Sequence, residues 1–197
     1  ALVKKFRNSA FGKTPAIVKN RLYETILRSL HSFHSDSSLD VELQRLVHSA
    51  EILFKKSLYQ DAERMLSRAR KLALKHEKFY VLLEINKWDK RLLEKNSYAG
   101  SDTETIALMH RADRELIEKL INYSDFWNIK SRLFMLLNQK GKVRDTAGLN
   151  SFKNIIDNTL MKSEGGALSY ETRYLYYHIY SAYYFGIGDY ANSYAFI

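Results

Sequence analysis

Apolar side chains recur every three to four residues through most of this chain. In an α-helix that spacing places them on one face, and such a face is typical of helices that pack against each other. Short polar segments interrupt the pattern and predict about nine helices of roughly 12–20 residues joined by short turns. The predicted helices begin near residues 15, 39, 60, 77, 101, 126, 151, 169 and 189.

Two of the predicted helix starts carry a chemical signature. Thr14 offers a hydroxyl as N-cap, and Pro15 follows at the first helical position, where its missing N–H costs nothing. Ser101 and Glu104 have the spacing of a capping box. Because helices joined by such short turns pack antiparallel, we expect one continuous array with a bend at 96–103.

The same pattern names the side chains that we expect to be buried. A helix buries its apolar face when a neighbouring element covers that face. For three of the helices the predicted buried faces are Ile17, Leu22, Ile26, Leu27, Leu30 and Phe33 of the first, Tyr80, Leu83, Trp88, Leu92 and Leu93 of the fourth, and Ile106, Met109, Ala112, Leu116, Leu120 and Ile121 of the fifth.

The composition agrees with an all-α fold. The 197 residues include 26 Leu against 6 Val, with eight Gly and one Pro, too few β-branched residues and turn formers for sheets. Cysteine is absent, which excludes disulfides and thiol chemistry. The longest apolar run, 133–137, is far shorter than the ~18 residues that a membrane-spanning helix needs. We therefore expect a soluble, cytoplasmic protein without a membrane partner.

Two segments share a spacing of small and large residues that is typical of one repeat family. In the first, small side chains at Ala50 and Ala62 stand where two antiparallel helices would meet, and larger ones surround them. The full sets are Leu43, Ala50, Leu53, Tyr59, Ala62, Leu66 and Ala69 in the first segment, and Tyr174, Tyr177, Tyr180, Ser181, Tyr184, Gly188, Tyr190 and Ser193 in the second. Both segments resemble the tetratricopeptide repeat (TPR) of 34 residues. Residues 77–170 depart from it, and Leu74 stands where the family has proline.

The chain is thus similar to a TPR-like array with degenerate middle helices. Residues 31–79 also resemble the helical region of large TPR-containing proteins from Bacteroidetes-type bacteria, a resemblance that brings no known activity. It implies an α-α superhelix, a right-handed solenoid of antiparallel helix pairs, and we expect the chain to be part of a longer protein. The expected divisions of this single array are a basic N-terminal helix (1–38), the clearest repeat region (39–96), degenerate pairs (101–166) and a Tyr-rich last repeat (169–197).

The resemblance also implies a function. In such solenoids the concave side binds a peptide or a partner helix. The family pattern places the groove at Gln44, Val47, Glu51, Phe54, Lys55, Leu175, His178 and Phe185. We therefore predict a non-catalytic protein–protein interaction scaffold with a protein or peptide partner.

Positive charge is concentrated near the start of the chain. The formal net charge is +9, and residues 1–35 contain seven basic side chains against the single acidic Glu24. Such an end can attract phosphate backbones, so the alternative is a nucleic-acid-associated helical repeat, although a solvated helix face explains the same charges. A further alternative is a regulatory or sensor segment of a larger signalling protein. The candidate basic patch consists of Lys4, Lys5, Arg7, Lys13, Lys19, Arg21 and Arg28.

Tyrosine is concentrated near the other end, where nine of the 14 lie between residues 170 and 194. Tyr176 and Tyr183 lie off the core positions of the repeat, which makes them candidate surface anchors for a partner. Packing against a neighbouring helix is the alternative for both. The apolar end of the last helix, at 190–197, leads us to expect self-association there.

Residue patterns for chemistry are weak. His31 and His34 have the helical spacing of a metal-binding pair, but Asp36, in a turn, is the one further candidate ligand near them in the sequence. The chain contains no cysteine nucleophile, no G-x-S-x-G and no glycine-rich phosphate loop. We predict no catalytic residues, no metal and no cofactor.

Overall fold

The protein is all-α. A computed structural model describes residues 15–34 and 38–197, and 83% of these residues are helical, with no strand among them. Two single turns of 3₁₀-helix, Thr159–Met161 and Glu164–Gly166, lie between the sixth and seventh helices. The eight α-helices of this described part are α1 (Pro15–His34), α2 (Leu39–Lys55), α3 (Tyr59–Lys75), α4 (Phe79–Lys95), α5 (Thr103–Lys140), α6 (Thr146–Ile156), α7 (Tyr170–Ile187) and α8 (Tyr190–Ala195).

Helix α5 differs from the sequence prediction in two ways. The break predicted before residue 126 is wrong, because α5 continues for 38 residues through a polar segment that contains neither Gly nor Pro. The predicted capping box is also wrong: Asp102 is the N-cap, and its carboxylate accepts a hydrogen bond from the Thr105 N–H at 2.8 Å. Thr14, the other predicted cap, lies outside the described residues.

The chain divides into two compact units, residues 1–65 and 66–197, with the division inside α3. In the first unit α2 buries Leu43 and Ala50, and α3 buries Ala62. Helix α1 does not bury the face predicted for it, since the six side chains of that face are between 36% and 82% exposed. The sequence of an amphipathic helix determines which side chains share a face, and a neighbouring element determines whether that face is covered.

The core of the second unit lies where α5, α6 and α7 meet. Phe126 and Leu133 of α5 pack there with Phe152 of α6 and Ile179 of α7, and all four are almost fully buried. Gly186 allows α7 to approach closely, because a Cβ atom on it would lie 2.4 Å from the ring of Phe152. Helix α8 packs on α7 in turn.

The predicted buried faces of α4 and of the first part of α5 are only partly buried. Tyr80, Ile106, Ala112 and Ile121 are exposed, while the remaining predicted positions are buried or half-buried. In α4 the buried side chains are Val81, Leu82, Ile85, Asn86 and Trp88. The apolar residues of α4 cover more than one face, so periodicity alone could not tell which side a neighbour would cover.

A polar network joins α3, α4 and α5 within the second unit. Arg70 donates a hydrogen bond to Asn86 Oδ1 at 2.8 Å and forms an ion pair with Asp89. Asn86 Nδ2 donates to Asp113 Oδ1 at 2.7 Å, and Lys90 pairs with the other carboxylate oxygen of Asp113. Burial alone would raise the pKa of Asp113, but its hydrogen bonds with Lys90 and Asn86 outweigh this and lower it.

Candidate functional site

Helix α7 is aromatic on two opposite sides. On one side Tyr176 and Tyr183 are only 9% exposed and belong to the core. The prediction that they are surface anchors is therefore wrong, because α5 and α6 cover that side of α7. On the other side Tyr170, Tyr174 and Tyr177 are exposed at the spacing of successive helical turns.

The exposed side of α7 forms the floor of a cleft of about 520 Å³. Phe196 and Ile197, which follow α8, line one side of the cleft, and Glu164 lines another part from the second 3₁₀ turn. A volume of this size is within the range of known ligand sites, ~300–1,000 Å³. The aromatic floor and the few polar groups around it make this cleft the candidate functional site.

Two side chains from distant segments fix the start of α7 and the turn before it. Asn122 of α5 donates to the carbonyl of Gly166 at 2.9 Å and accepts from the Leu168 N–H at 3.0 Å. Glu77, in the turn between α3 and α4, accepts a hydrogen bond from the Tyr170 N–H at 2.7 Å. A carboxylate at the first turn of a helix also interacts favourably with the helix dipole.

A capping box completes the N-terminus of α7, and a hydrogen bond and a ring stack hold α8 and the residues after it against α7. Ser169 and Thr172 form a reciprocal capping box at the start of α7. The hydroxyl of Ser193 in α8 donates to the carbonyl of Ser181 at 2.9 Å. The Phe196 ring stacks on Tyr180 with ring centroids 5.0 Å apart, so the wall of the cleft is tied to the core of this unit.

The polar groups of the cleft differ in how they are paired. The carboxylate of Glu164 beside Tyr177 raises the pKa of the Tyr177 hydroxyl. Burial, with a smaller effect from Lys130, lowers the pKa of His178, so its imidazole is neutral at pH 7. The His178 Nδ1 atom is buried and has no hydrogen-bond partner among the described residues. Arg173 makes no hydrogen bond or ion pair through its guanidinium within the described ranges.

Of the groove residues that the family pattern named on α7, one lines the cleft. His178 does so between the rings of Phe134 and Tyr174, whose centroids lie 5.2 and 5.7 Å away. Leu175 is buried and does not reach the surface. Phe185 is exposed but lies outside the cleft, with the Lys142 ammonium 4.3 Å from its ring centroid.

The groove residues named on α2 form a separate set in the first unit. Gln44 and Lys55 are exposed, and Glu51 and Phe54 are half-buried. Glu51 pairs with Lys55 at 2.6 Å, and that hydrogen bond lowers the pKa of Glu51. Val47 is buried, so the prediction that it lines an open groove is wrong: it packs into the core face of α2.

The basic candidates are described only in part. Lys19, Arg21 and Arg28 lie on α1 and are exposed, whereas the other four, Lys4, Lys5, Arg7 and Lys13, lie outside the described residues.

Sequence reasoning missed Arg173, Glu164 and Phe196. Arg173 lies one turn before Tyr177 on the same side of α7, which the helical spacing could have shown. Glu164 and Phe196 reach the cleft only through the turn before α7 and the return of the chain in α8, and no local pattern signals either position.

The described residues contain no group that could hold a metal ion and no membrane-spanning helix, and known proteins supply no family for the chain. Within 15–34 and 38–197 no group of three or more His, Asp or Glu side chains is arranged to hold a metal ion. None of the helices in those ranges has the length and apolar character needed to cross a membrane. The chain matches no known protein family, no curated protein and no solved structure.

Proposed function

We propose that this chain is a non-catalytic interaction module that binds a peptide, or a helix of a partner protein, in the cleft on α7. The observation that carries the proposal is the exposed aromatic side of α7, where Tyr170, Tyr174 and Tyr177, one turn apart, line the cleft. Tyrosines supply large contact areas and hydroxyl groups at a low entropic cost, and they are frequent anchors of protein interfaces.

The resemblance of residues 174–193 to a TPR, which stays a prediction, points to the same surface. In that family the first helix of each pair lines the concave, ligand-binding side. Helix α7 is the first helix of the pair α7–α8 and carries the candidate residue His178 in the cleft. The right-handed solenoid is part of this proposal.

A direct test uses a phage-displayed library of random twelve-residue peptides selected on the intact chain. Peptides that bind are then measured by fluorescence anisotropy against the wild type, Tyr174→Ala and Tyr177→Ala. Tyr98→Ala is the matched control, since Tyr98 is an exposed tyrosine of the turn between α4 and α5. We expect the two cleft variants to weaken binding by about tenfold or more and the control to change it less than about twofold. Equal affinities for all four proteins would refute the proposal.

Nucleic-acid binding is the second candidate, and the exposed Lys19, Arg21 and Arg28 of α1 favour it. Phosphate contacts release counterions, so binding of this kind falls steeply as salt increases. Binding of a labelled single-stranded oligonucleotide between about 50 and 200 mM salt distinguishes the two functions, because a peptide bound on tyrosines depends much less on salt.

A further inference from the structure

Two charged side chains line the cleft, and they are in different states. The carboxylate of Glu164 lies beside the hydroxyl of Tyr177 and raises the pKa of that hydroxyl. The guanidinium of Arg173 has no hydrogen-bonded or acidic partner in the part of the chain that the structure describes. The cleft therefore presents one cation whose donors are free to bind a ligand.

A second cation strengthens the positive potential at the same place. The charge of Lys130 on α5 is close enough to His178 to lower the pKa of that imidazole. His178 itself is neutral at pH 7 and adds no charge. Arg173 and Lys130 thus act on the cleft together with two carboxylates, that of Glu164 beside Tyr177 and that of Glu77, which accepts the Tyr170 N–H.

The surroundings of Arg173 are apolar and aromatic. Tyr174 is next to it on α7, and Phe196 and Ile197 line the same cleft. The Arg173 side chain is exposed, so its guanidinium is open to an incoming group. Its planar array of N–H groups also matches the two oxygens of a carboxylate.

We infer that the cleft selects peptide segments in which an acidic side chain stands beside a bulky apolar one, with the carboxylate on Arg173 and the apolar group against Tyr174 and Phe196. This inference rests on the proposed function and specifies the chemistry of its partner. The unit that contains the cleft, residues 66–197, has 20 Lys or Arg against 15 Asp or Glu, and this excess favours the approach of acidic segments.

The peptide library tests this specificity separately from binding itself. Peptides selected on the wild type should be enriched in Asp or Glu next to an aromatic or large aliphatic residue, and depleted of Lys and Arg. Replacing the acid of a selected peptide by its amide should weaken binding to the wild type by about tenfold. The same replacement should change binding to Arg173→Gln by less than about twofold, because the carboxylate then has no partner to lose.

Arg144→Gln provides the matched control, since it removes the same charge from an exposed position that does not line the cleft. This variant should keep the tenfold preference for the acid over the amide. Selection on Arg173→Glu should yield peptides enriched in Lys or Arg instead.

The outcomes separate the two proposals. Peptides without acidic enrichment that still lose affinity on Tyr174→Ala would overturn the acid specificity and leave the binding cleft in place. Equal losses for Arg173→Gln and Arg144→Gln would show an effect of net charge alone and overturn the role of Arg173. Failure to select any peptide would overturn both.

Discussion

The two halves of α5 have similar apolar patterns but opposite surroundings. Residues 122–140 bury Asn122, Phe126, Ile129 and Leu133. Residues 103–121 bury no side chain in the described structure, and Ile106, Leu108, Ile117 and Ile121 are exposed there. The difference shows that the apolar face of an amphipathic helix stabilises the fold only where another element covers that face.

The halves are also held by different forces. The second half packs into the apolar core with α6 and α7. The first half is attached to α4 through polar groups, with Asp113 bound to Asn86 and Lys90, and through the Lys119 ammonium 5.1 Å from the ring centroid of Phe79. Substitutions in the second half should therefore cost much more than substitutions in the first.

The largest effect is expected from Phe126→Ala in the second half. Phe126 is 0% exposed, and removing its ring leaves a cavity among α5, α6 and α7. We expect the free energy of unfolding to fall by about 3–5 kcal/mol, measured by urea denaturation. A loss below about 1 kcal/mol would show that this core is loosely packed and that the contrast between the halves does not exist.

An intermediate effect is expected from Asp113→Asn in the first half. Because the folded state lowers the pKa of Asp113, its ionised form contributes stability above the ordinary pKa of 3.8, and this contribution is lost as the pH falls through the lowered value. At pH 7 the variant should be about 1 kcal/mol less stable than the wild type, and the difference should shrink towards zero as the pH falls from 3.8 through the lowered pKa. Denaturation curves over this range provide the measurement.

Asp125→Asn is the control for this pH dependence, since Asp125 is exposed on the same helix. Its stability should follow the wild type at every pH. If Asp113→Asn also did so, the polar network would not hold the first half of α5.

The smallest effect is expected from Ile117→Ala. Ile117 is 42% exposed, and the alanine has a higher helix propensity, so the change in unfolding free energy should be under about 0.5 kcal/mol. The same urea denaturation measures it. A loss above about 1 kcal/mol would mean that this face is covered in solution, and the two halves would then be alike.

The helices themselves were largely predictable from the sequence. Pro15 begins α1, and α2 to α4 begin within two residues of their predicted starts near 39, 60 and 77, because each is amphipathic and bounded by polar turns. The break predicted before residue 126 does not occur: Asn122 in the polar segment there turns its amide to Gly166 and Leu168, and the helix continues. Local sequence cannot show that a polar residue has a partner 44 residues away.

The candidate site was predictable only in part. Of the three positions that the family pattern named on α7, His178 lines the cleft, whereas Leu175 is buried and Phe185 lies outside it. Tyr176 and Tyr183 were assigned to the wrong side because tyrosines lie on more than one side of α7, and its own sequence does not say which side α5 and α6 cover. Arg173 is distinguished by the absence of a partner in the described structure, a property of the fold that no motif records.

The polar network around Asn86 determines how α4 and α5 are aligned lengthwise. A lengthwise slide of one helical turn corresponds to about 5.4 Å. It would move Asp113 out of reach of Asn86 and Lys90 and leave the buried amide of Asn86 with an unmade hydrogen bond, at a cost of about 1–3 kcal/mol. Asn86 thereby sets the register of the two helices, and its contribution is to exclude neighbouring alignments as much as to stabilise this one.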